Sequence, residues 1–145
     1  MTVLVVDASV GLKWCLPQAA EQFIPHASAL LDRFIREEID FLVPDLFWIE
    51  IGNALWKLSR RNQLSPEAAT SSLAKLNSLE IPTVASNSLV PRALDLAIQY
   101  GRTIYDSLYV ALARETSTEM ITADERLANA LAAYLPVKWL GAMQF

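Results

Sequence analysis

The chain has one cysteine, one histidine and four glycines that never cluster. Each scarcity removes a class of chemistry. A lone Cys15 forms no internal disulfide, and it is expected to pack as a small hydrophobe rather than act as a nucleophile. Cys15 and His26 together fall short of the roughly four ligands of a structural zinc site. A Ser-His-Asp triad would depend on His26, which follows Pro25 in an expected surface helix. The scattered glycines exclude the Gly-rich phosphate loops. No apolar run reaches the roughly 18 residues of a membrane span. Asp7 and Lys13 interrupt the apolar start, and no basic segment precedes it. Neither a membrane segment nor a secretory signal is expected, and the expected location is the cytoplasm.

Basic residues are also in short supply. Lys and Arg number 12 against 16 Asp and Glu, a formal charge of −4, and the isoelectric point is about 4.9. This argues against strong non-specific binding to nucleic acid, which normally needs a basic surface. It leaves room for a local basic stripe, or for an acidic site neutralised by a cation. Apolar residues are what the chain has in plenty: 53% of 145 residues are hydrophobic. That is enough for one domain, 1–145, with a real core.

The stretch Val3 to Ser9, VLVVDAS, organises the reading. Four apolar residues, three of them β-branched, run into Asp7, the pattern of a strand buried on both faces. Helices are expected over Val10–Leu16, stopped by Pro17, and over Glu21–Glu38. A strand over Asp40–Val43 follows. Asp45 is expected to cap a helix running to about Asn62. On that helix Phe47, Ile51, Leu55 and Leu58 share one side, while Glu50, Asn53, Lys57 and Arg61 share another. Gly52 inside it is expected to mark close helix packing. Ser65-Pro66 starts a further helix. Ile81–Ala85 reads as an edge strand because of Pro82. A helix over Leu89–Tyr100 stops at Gly101. Asp106 is expected to cap the next helix and Asp124 the one after Glu119–Thr122, with a last strand at Val137–Leu140. Strands alternating with helices predict an α/β fold built on a parallel sheet.

In a parallel sheet Asp7 and Asp124, each following a strand, lie at the same edge. Asp106 and Glu50, near helix starts, can face that edge too. Taken singly, the acids have plainer explanations: Asp7, Asp106 and Asp124 as helix caps, Glu50 as a solvated or paired carboxylate. Taken together, carboxylates gathered in apolar surroundings repel one another and call for a cation or protons. Without a Cys/His set, hard oxygen ligands point to Mg²⁺ or Mn²⁺. Lys57, Arg60 and Arg61 continue the Glu50 helix and suit an RNA backbone, or simply a solvated face.

Four segments in order, VVDASV, VPDLFWIEIGNAL, IYDSLYVALA and ITADERLANAL, resemble a PIN-domain protein of the VapC-like ribonuclease toxin type across essentially the whole chain. The resemblance implies a three-layer α/β/α sandwich of about five parallel strands with the first strand central. It implies a metal site at Asp7, Glu50, Asp106 and Asp124, supported by Ser9 and Thr122. It also implies Mg²⁺- or Mn²⁺-dependent endoribonuclease activity leaving a 3′-hydroxyl and a 5′-phosphate, and inhibition by an antitoxin protein. The expected antitoxin seats an apolar tail segment near Trp14 and Trp48 and reaches the acids with a basic side chain. The alternatives are a non-catalytic RNA- or protein-binding module, and a metal-dependent phosphatase or DNA nuclease. Four tryptophans, Trp14, Trp48, Trp56 and Trp139, add an expected homodimer interface.

Overall fold

The computed structural model describes residues 1–16 and 22–145. Pro17 and Glu21, the expected end of one helix and start of the next, lie outside the described residues. Five strands form one all-parallel sheet in the order β3-β2-β1-β4-β5: β1 (Thr2–Val6), β2 (Ile39–Pro44), β3 (Thr83–Val84), β4 (Glu119–Thr122) and β5 (Val137–Trp139). The first strand is central, and Val5 and Val6 are fully buried. That is why its sequence is continuously apolar instead of alternating.

Seven α-helices connect and cover the sheet among the described residues: α1 (Ala8–Cys15), α2 (Ile24–Ile35), α3 (Leu46–Arg60), α4 (Pro66–Asn77), α5 (Val90–Tyr100), α6 (Ile104–Glu115) and α7 (Glu125–Leu131). The chain moves outward from β1 through β2 to β3, then crosses back to β4 and on to β5. Right-handed crossovers in opposite directions put their helices on opposite faces, which yields the three-layer α/β/α sandwich. Helix α6 lies across β1, β2 and β4 beneath α5. Covered on both sides, it buries every residue from Ser107 to Ala113. None of the helices is long and apolar enough to cross a membrane among the described residues.

Several local expectations hold for the physical reason given. Ser65 Oγ accepts from the Ala68 amide at 3.1 Å and starts α4. Gly101 ends α5 at φ 68°, a conformation glycine adopts without strain. Asp124 caps α7 through the Leu127 amide at 3.2 Å. Others are corrected. Asp45 precedes α3 but does not cap it. Its backbone is already helical (φ −59°, ψ −24°), and its carboxylate accepts from the Ser86 amide and hydroxyl instead. Asp106 does not cap α6: Thr103 does, accepting from the Asp106 amide at 3.1 Å. Helix α2 ends at Ile35, before Glu38, because Glu37 takes a left-handed φ of 61°. Gly52 has nothing within 4 Å of where a Cβ would stand, so packing within the chain does not explain it. Close approach is met at Gly11, where an added Cβ would lie 2.6 Å from the Phe47 ring.

The tryptophans are mostly accounted for inside the fold. Trp14 donates to the Ala27 carbonyl at 2.8 Å and stacks on Phe41. Trp48 donates to Thr83 Oγ1 at 3.0 Å and meets Phe47 edge to face. Trp139 packs against Phe23 and over Gly141. Only Trp56, 54% exposed, faces outward. The larger exposed apolar surface lies elsewhere, on Val90, Leu94 and Ile98, spaced four apart along one stripe of α5.

Candidate metal centre at the carboxyl edge of the sheet

The direction of the crossovers reverses at β1, so the carboxyl ends of β1 and β4 flank a topological switch point, the usual position of a ligand crevice in an open parallel sheet. Asp7 follows β1 and Asp124 follows β4 two residues after its end. The strands are in register there, Val6 opposite Ile121, and the Asp7 amide donates to the Ile121 carbonyl at 3.3 Å.

Asp7 is 7% exposed, and both its carboxylate oxygens are engaged. Ser9 Oγ donates to Oδ1 at 2.5 Å, and Thr122 Oγ1 donates to Oδ2 at 2.5 Å. The Val10 amide adds a bond to Oδ1 at 3.3 Å, so Asp7 also caps α1. The direction of these bonds is fixed by a second tier. Ser9 Oγ accepts from the Ala123 amide at 2.9 Å, and Thr122 Oγ1 accepts from the Asp124 amide at 3.1 Å. Each hydroxyl receives a backbone proton and passes its own to Asp7, a chain in which the bonds strengthen one another. Even so, burial outweighs these bonds and, with a further push from Asp106, holds the Asp7 carboxyl up at about 6.

Glu50 stands one turn into α3, half-buried. Its Oε1 accepts from the Tyr109 hydroxyl at 2.6 Å. Burial raises its pKa, the Tyr109 bond opposes that, and Asp106 adds to it. Asp106 sits in the first turn of α6. Burial raises its pKa first and Asp124 second, while Thr103 and Arg102 favour its charge. Asp124 is exposed. The four acids therefore form an electrostatic chain: Asp106 acts on Asp7 and on Glu50, and Asp124 acts on Asp106. Sequence reasoning did not single out Tyr109 or Thr103. Thr103 was legible as Thr-x-x-Asp, a capping pattern. Tyr109 carried no signal beyond a phenol in an otherwise apolar run.

Among the described residues, no three His, Cys, Asp or Glu side chains stand close enough to form a ready-made ligand set. The donor chemistry nevertheless suits a hard divalent cation: carboxylates only, three of them with pKa values raised first by burial and then by a neighbouring carboxylate. Mg²⁺ typically binds through one or two carboxylates and keeps several waters, so it does not require a closed cage of protein ligands.

Lys57, Arg60 and Arg61 lie at the far end of α3, all exposed. Lys57 keeps Glu50's side of the helix roughly 10 Å further along it. The Arg60 guanidinium rests over the Trp56 ring, 5.3 Å from its centroid. The two scarce residues stay out of the site. His26 lies in α2 among Phe23 and Phe145. Cys15 is a free, half-buried thiol whose pKa burial pushes up to about 11, which leaves it unreactive at neutral pH.

A parallel five-stranded sandwich with its switch point at β1 defines the fold class, and comparison with known proteins agrees. The PIN domain pattern matches residues 4–131. Ribonuclease VapC3 of Pyrobaculum aerophilum is 31% identical over 134 residues, covering 90% of this chain and 95% of the relative. The chain belongs to the PIN-domain family. Its fold is similar to the crystal structure of PAE2754 from P. aerophilum, with a TM-score of 0.72 and 22% identity over 97% of this chain and 90% of that one. It is also similar to a chain of a toxin-antitoxin complex from Klebsiella pneumoniae, with a TM-score of 0.62 and 13% identity over 93% and 95%.

Proposed function

We infer that this chain is an endoribonuclease, the toxin of a toxin-antitoxin pair, formed by a single PIN domain over 1–145 and working in the cytoplasm. The observation that carries the reading is the electrostatic coupling of Asp7, Glu50, Asp106 and Asp124, brought from four separate segments in a chain of this family. Mg²⁺ or Mn²⁺ fits their oxygen-only chemistry. Such an ion supplies Lewis acidity at the scissile phosphate and lowers the pKa of an attacking water. The protein's part is to hold the carboxylates: Ser9 and Thr122 fix both oxygens of Asp7, and Tyr109 fixes one oxygen of Glu50. Lys57 and Arg61, on Glu50's side of α3, are placed to receive an RNA backbone, with Arg60 beside them.

The decisive assay offers RNA, DNA and a simple phosphate ester side by side, with Mn²⁺ and with EDTA. Metal-dependent cleavage of RNA alone is expected, leaving 3′-hydroxyl and 5′-phosphate ends. Cleavage of the ester or of DNA in its place would support the rival enzyme classes, and no cleavage with retained RNA binding would support a binding module.

The antitoxin's apolar tail segment has a seat between α1, α2 and α4, a cavity lined by Trp14, Leu16, Leu31, Leu64, Leu76 and Leu79 among others. Trp48, anchored on Phe47 and Thr83, lies outside that lining. Arg suits the acidic site as the tail's blocking residue, because its planar fork binds carboxylates bidentately. Homodimerisation rests on the α5 stripe of Val90, Leu94 and Ile98, with Ile49 and Trp56 flanking the unpacked Gly52 on α3. A monomer by light scattering at micromolar concentration would refute the dimer.

A further inference from the structure

The acids differ in what holds them. Asp7 is fixed by two hydroxyls, those of Ser9 and Thr122, and the family resemblance implied both. Glu50 has one fixing partner among the described residues, and it comes from another helix 59 positions along the chain: the Tyr109 hydroxyl, 2.6 Å from Oε1. Tyr109 is 2% exposed, at the centre of the buried helix α6. Its phenol stands where three site elements meet. Asp7 acts on it through space, and Glu50 Oε1 accepts a hydrogen bond from it. It also lies three residues after Asp106, so Asp106 and Tyr109 project from the same side of α6.

A buried phenol so placed is a proton donor, and the Glu50 carboxylate has no proton to give back. The hydrogen bond consequently runs one way, from Tyr109 to Glu50. It selects one orientation of a side chain with three rotatable bonds that would otherwise sample several. It occupies Oε1 and leaves Oε2 for another partner. A bond from a neutral donor also favours the charged carboxylate.

We propose that Tyr109 is a positioning residue for the metal site: it holds Glu50 in a single, singly available orientation. This rests on the metal-dependent reading given above. Partners that orient ligand side chains typically contribute about 10–100-fold to metal affinity or activity.

The test uses Tyr109→Phe, which keeps the buried ring and deletes only the hydroxyl. Mn²⁺ binding is measured directly, by the electron paramagnetic resonance of the free ion, on the full chain without RNA. The variant should bind Mn²⁺ about tenfold more weakly. On the RNA that the wild type cuts, at fixed Mn²⁺, it should lose kcat with little change in KM. Its melting point in EDTA should stay close to the wild type's, and Tyr134→Phe, at an exposed position, should change nothing. A double-mutant cycle with Glu50→Gln isolates the pathway. If Tyr109 acts through Glu50, the double variant binds Mn²⁺ no worse than Glu50→Gln alone. Additive losses would overturn the proposal, as would Tyr109→Phe binding Mn²⁺ like the wild type. A wild type that binds no Mn²⁺ would overturn the metal reading itself, and the role of Tyr109 with it.

Discussion

Asp7 and Asp124 occupy equivalent places. Each follows one of two adjacent parallel strands, each caps the next helix, and the two strands are hydrogen-bonded to each other. Their surroundings are opposite. Asp7 is 7% exposed, with hydroxyls on both oxygens and a pKa pushed up to about 6 by burial. Asp124 is exposed, and among the described residues its side chain makes the cap bond to Leu127 and no other hydrogen bond. The same local chemistry, an aspartate at a strand-to-helix turn, thus gives an inner acid that burdens the fold and an outer acid that supports it. Both strands are interior to the sheet; Asp7 directly follows its strand and stays in the core, whereas Asp124 stands two residues past the end of β4 and reaches water.

The sharpest way to break this comparison is Asp7→Asn. Asparagine is as good a cap as aspartate and brings no charge into the buried site; its amide does set a donor against one of the two hydroxyls, a loss of about 1 kcal/mol that is smaller than the charge penalty removed. Cleavage should be abolished. Stability should move the other way, because a shift from 3.8 to about 6 represents roughly 3 kcal/mol of disfavour for the buried charge at neutral pH. In EDTA at pH 7 the variant should melt no lower than the wild type. A variant that keeps full cleavage would remove Asp7 from the mechanism, and one that melts several degrees lower would show that the charge is not a burden. Asp106→Asn should likewise melt no lower than the wild type in EDTA, since Thr103 and not Asp106 caps α6.

Thr122→Val tests the hydroxyl that links the two acids. Valine keeps the shape of the side chain but removes the donor to Asp7 Oδ2 and the acceptor for the Asp124 amide. One substitution therefore disturbs both acids of the comparison. A drop of about 10–100-fold in activity or Mn²⁺ affinity is expected, read by cleavage rate and by metal titration. Ser9→Ala should do less, because Ser9 is half-buried and water can replace its hydroxyl. Equal effects of the two would argue against burial as the factor that ranks them.

How much of this was legible beforehand follows the same division. Asp7 could be read because an unbroken β-branched run led into it, and Asp124 because a short strand and a capped helix framed it. The parallel sheet followed from the alternation of the two element types. Asp106 was legible as a candidate site acid, and its cap role was misread. Ser, Thr and Asp share cap chemistry, and Thr103, the true cap, lies one turn upstream. The Tyr109–Glu50 bond was beyond reach, because it joins helices far apart in sequence and a phenol in an apolar run looks like core. The tryptophans misled for a related reason. Composition counts large rings but does not show that Phe41, Phe47 and Phe23 already receive three of them. Exposed apolar surface came instead from ordinary aliphatic residues on α5.

The inner acid also predicts a pH dependence of defined sign. Below about pH 4 Asp7 is protonated in both folded and unfolded chains and contributes nothing. Between about pH 4 and 6 the unfolded chain ionises while the folded one retains its proton, so Asp7's contribution makes stability fall as pH rises. Above about pH 6 that penalty is complete and constant. Wild type and Asp7→Asn, melted in EDTA across this range, should therefore converge at the acid end and separate toward neutrality. Mn²⁺ binding runs the other way. A ligand must lose its proton to bind, so affinity should weaken as pH falls through about 6. Curves that stay parallel across the range would place the Asp7 carboxyl near its ordinary value.

The outer acid gives the smallest effect and the opposite sign. Asp124 caps α7 through the Leu127 amide at 3.2 Å, at a terminus where the backbone donors have no partners within the helix. Its negative charge also favours that helix end. Asp124→Ala should lower stability by about 1 kcal/mol. Asp124→Asn, which keeps the cap, should lower it by less. Removal of the carboxylate also relieves Asp106 of one of the charges that raise its pKa, and this offsets part of the loss. At high salt the charge terms fade while the cap bond persists, so the alanine variant's deficit should remain and the asparagine variant's should shrink. Denaturant melts of the three proteins in EDTA, at low and high salt, separate these contributions. If Asp124→Ala proved as stabilising as Asp7→Asn, the two acids would burden the fold alike, and burial would not be what divides the site.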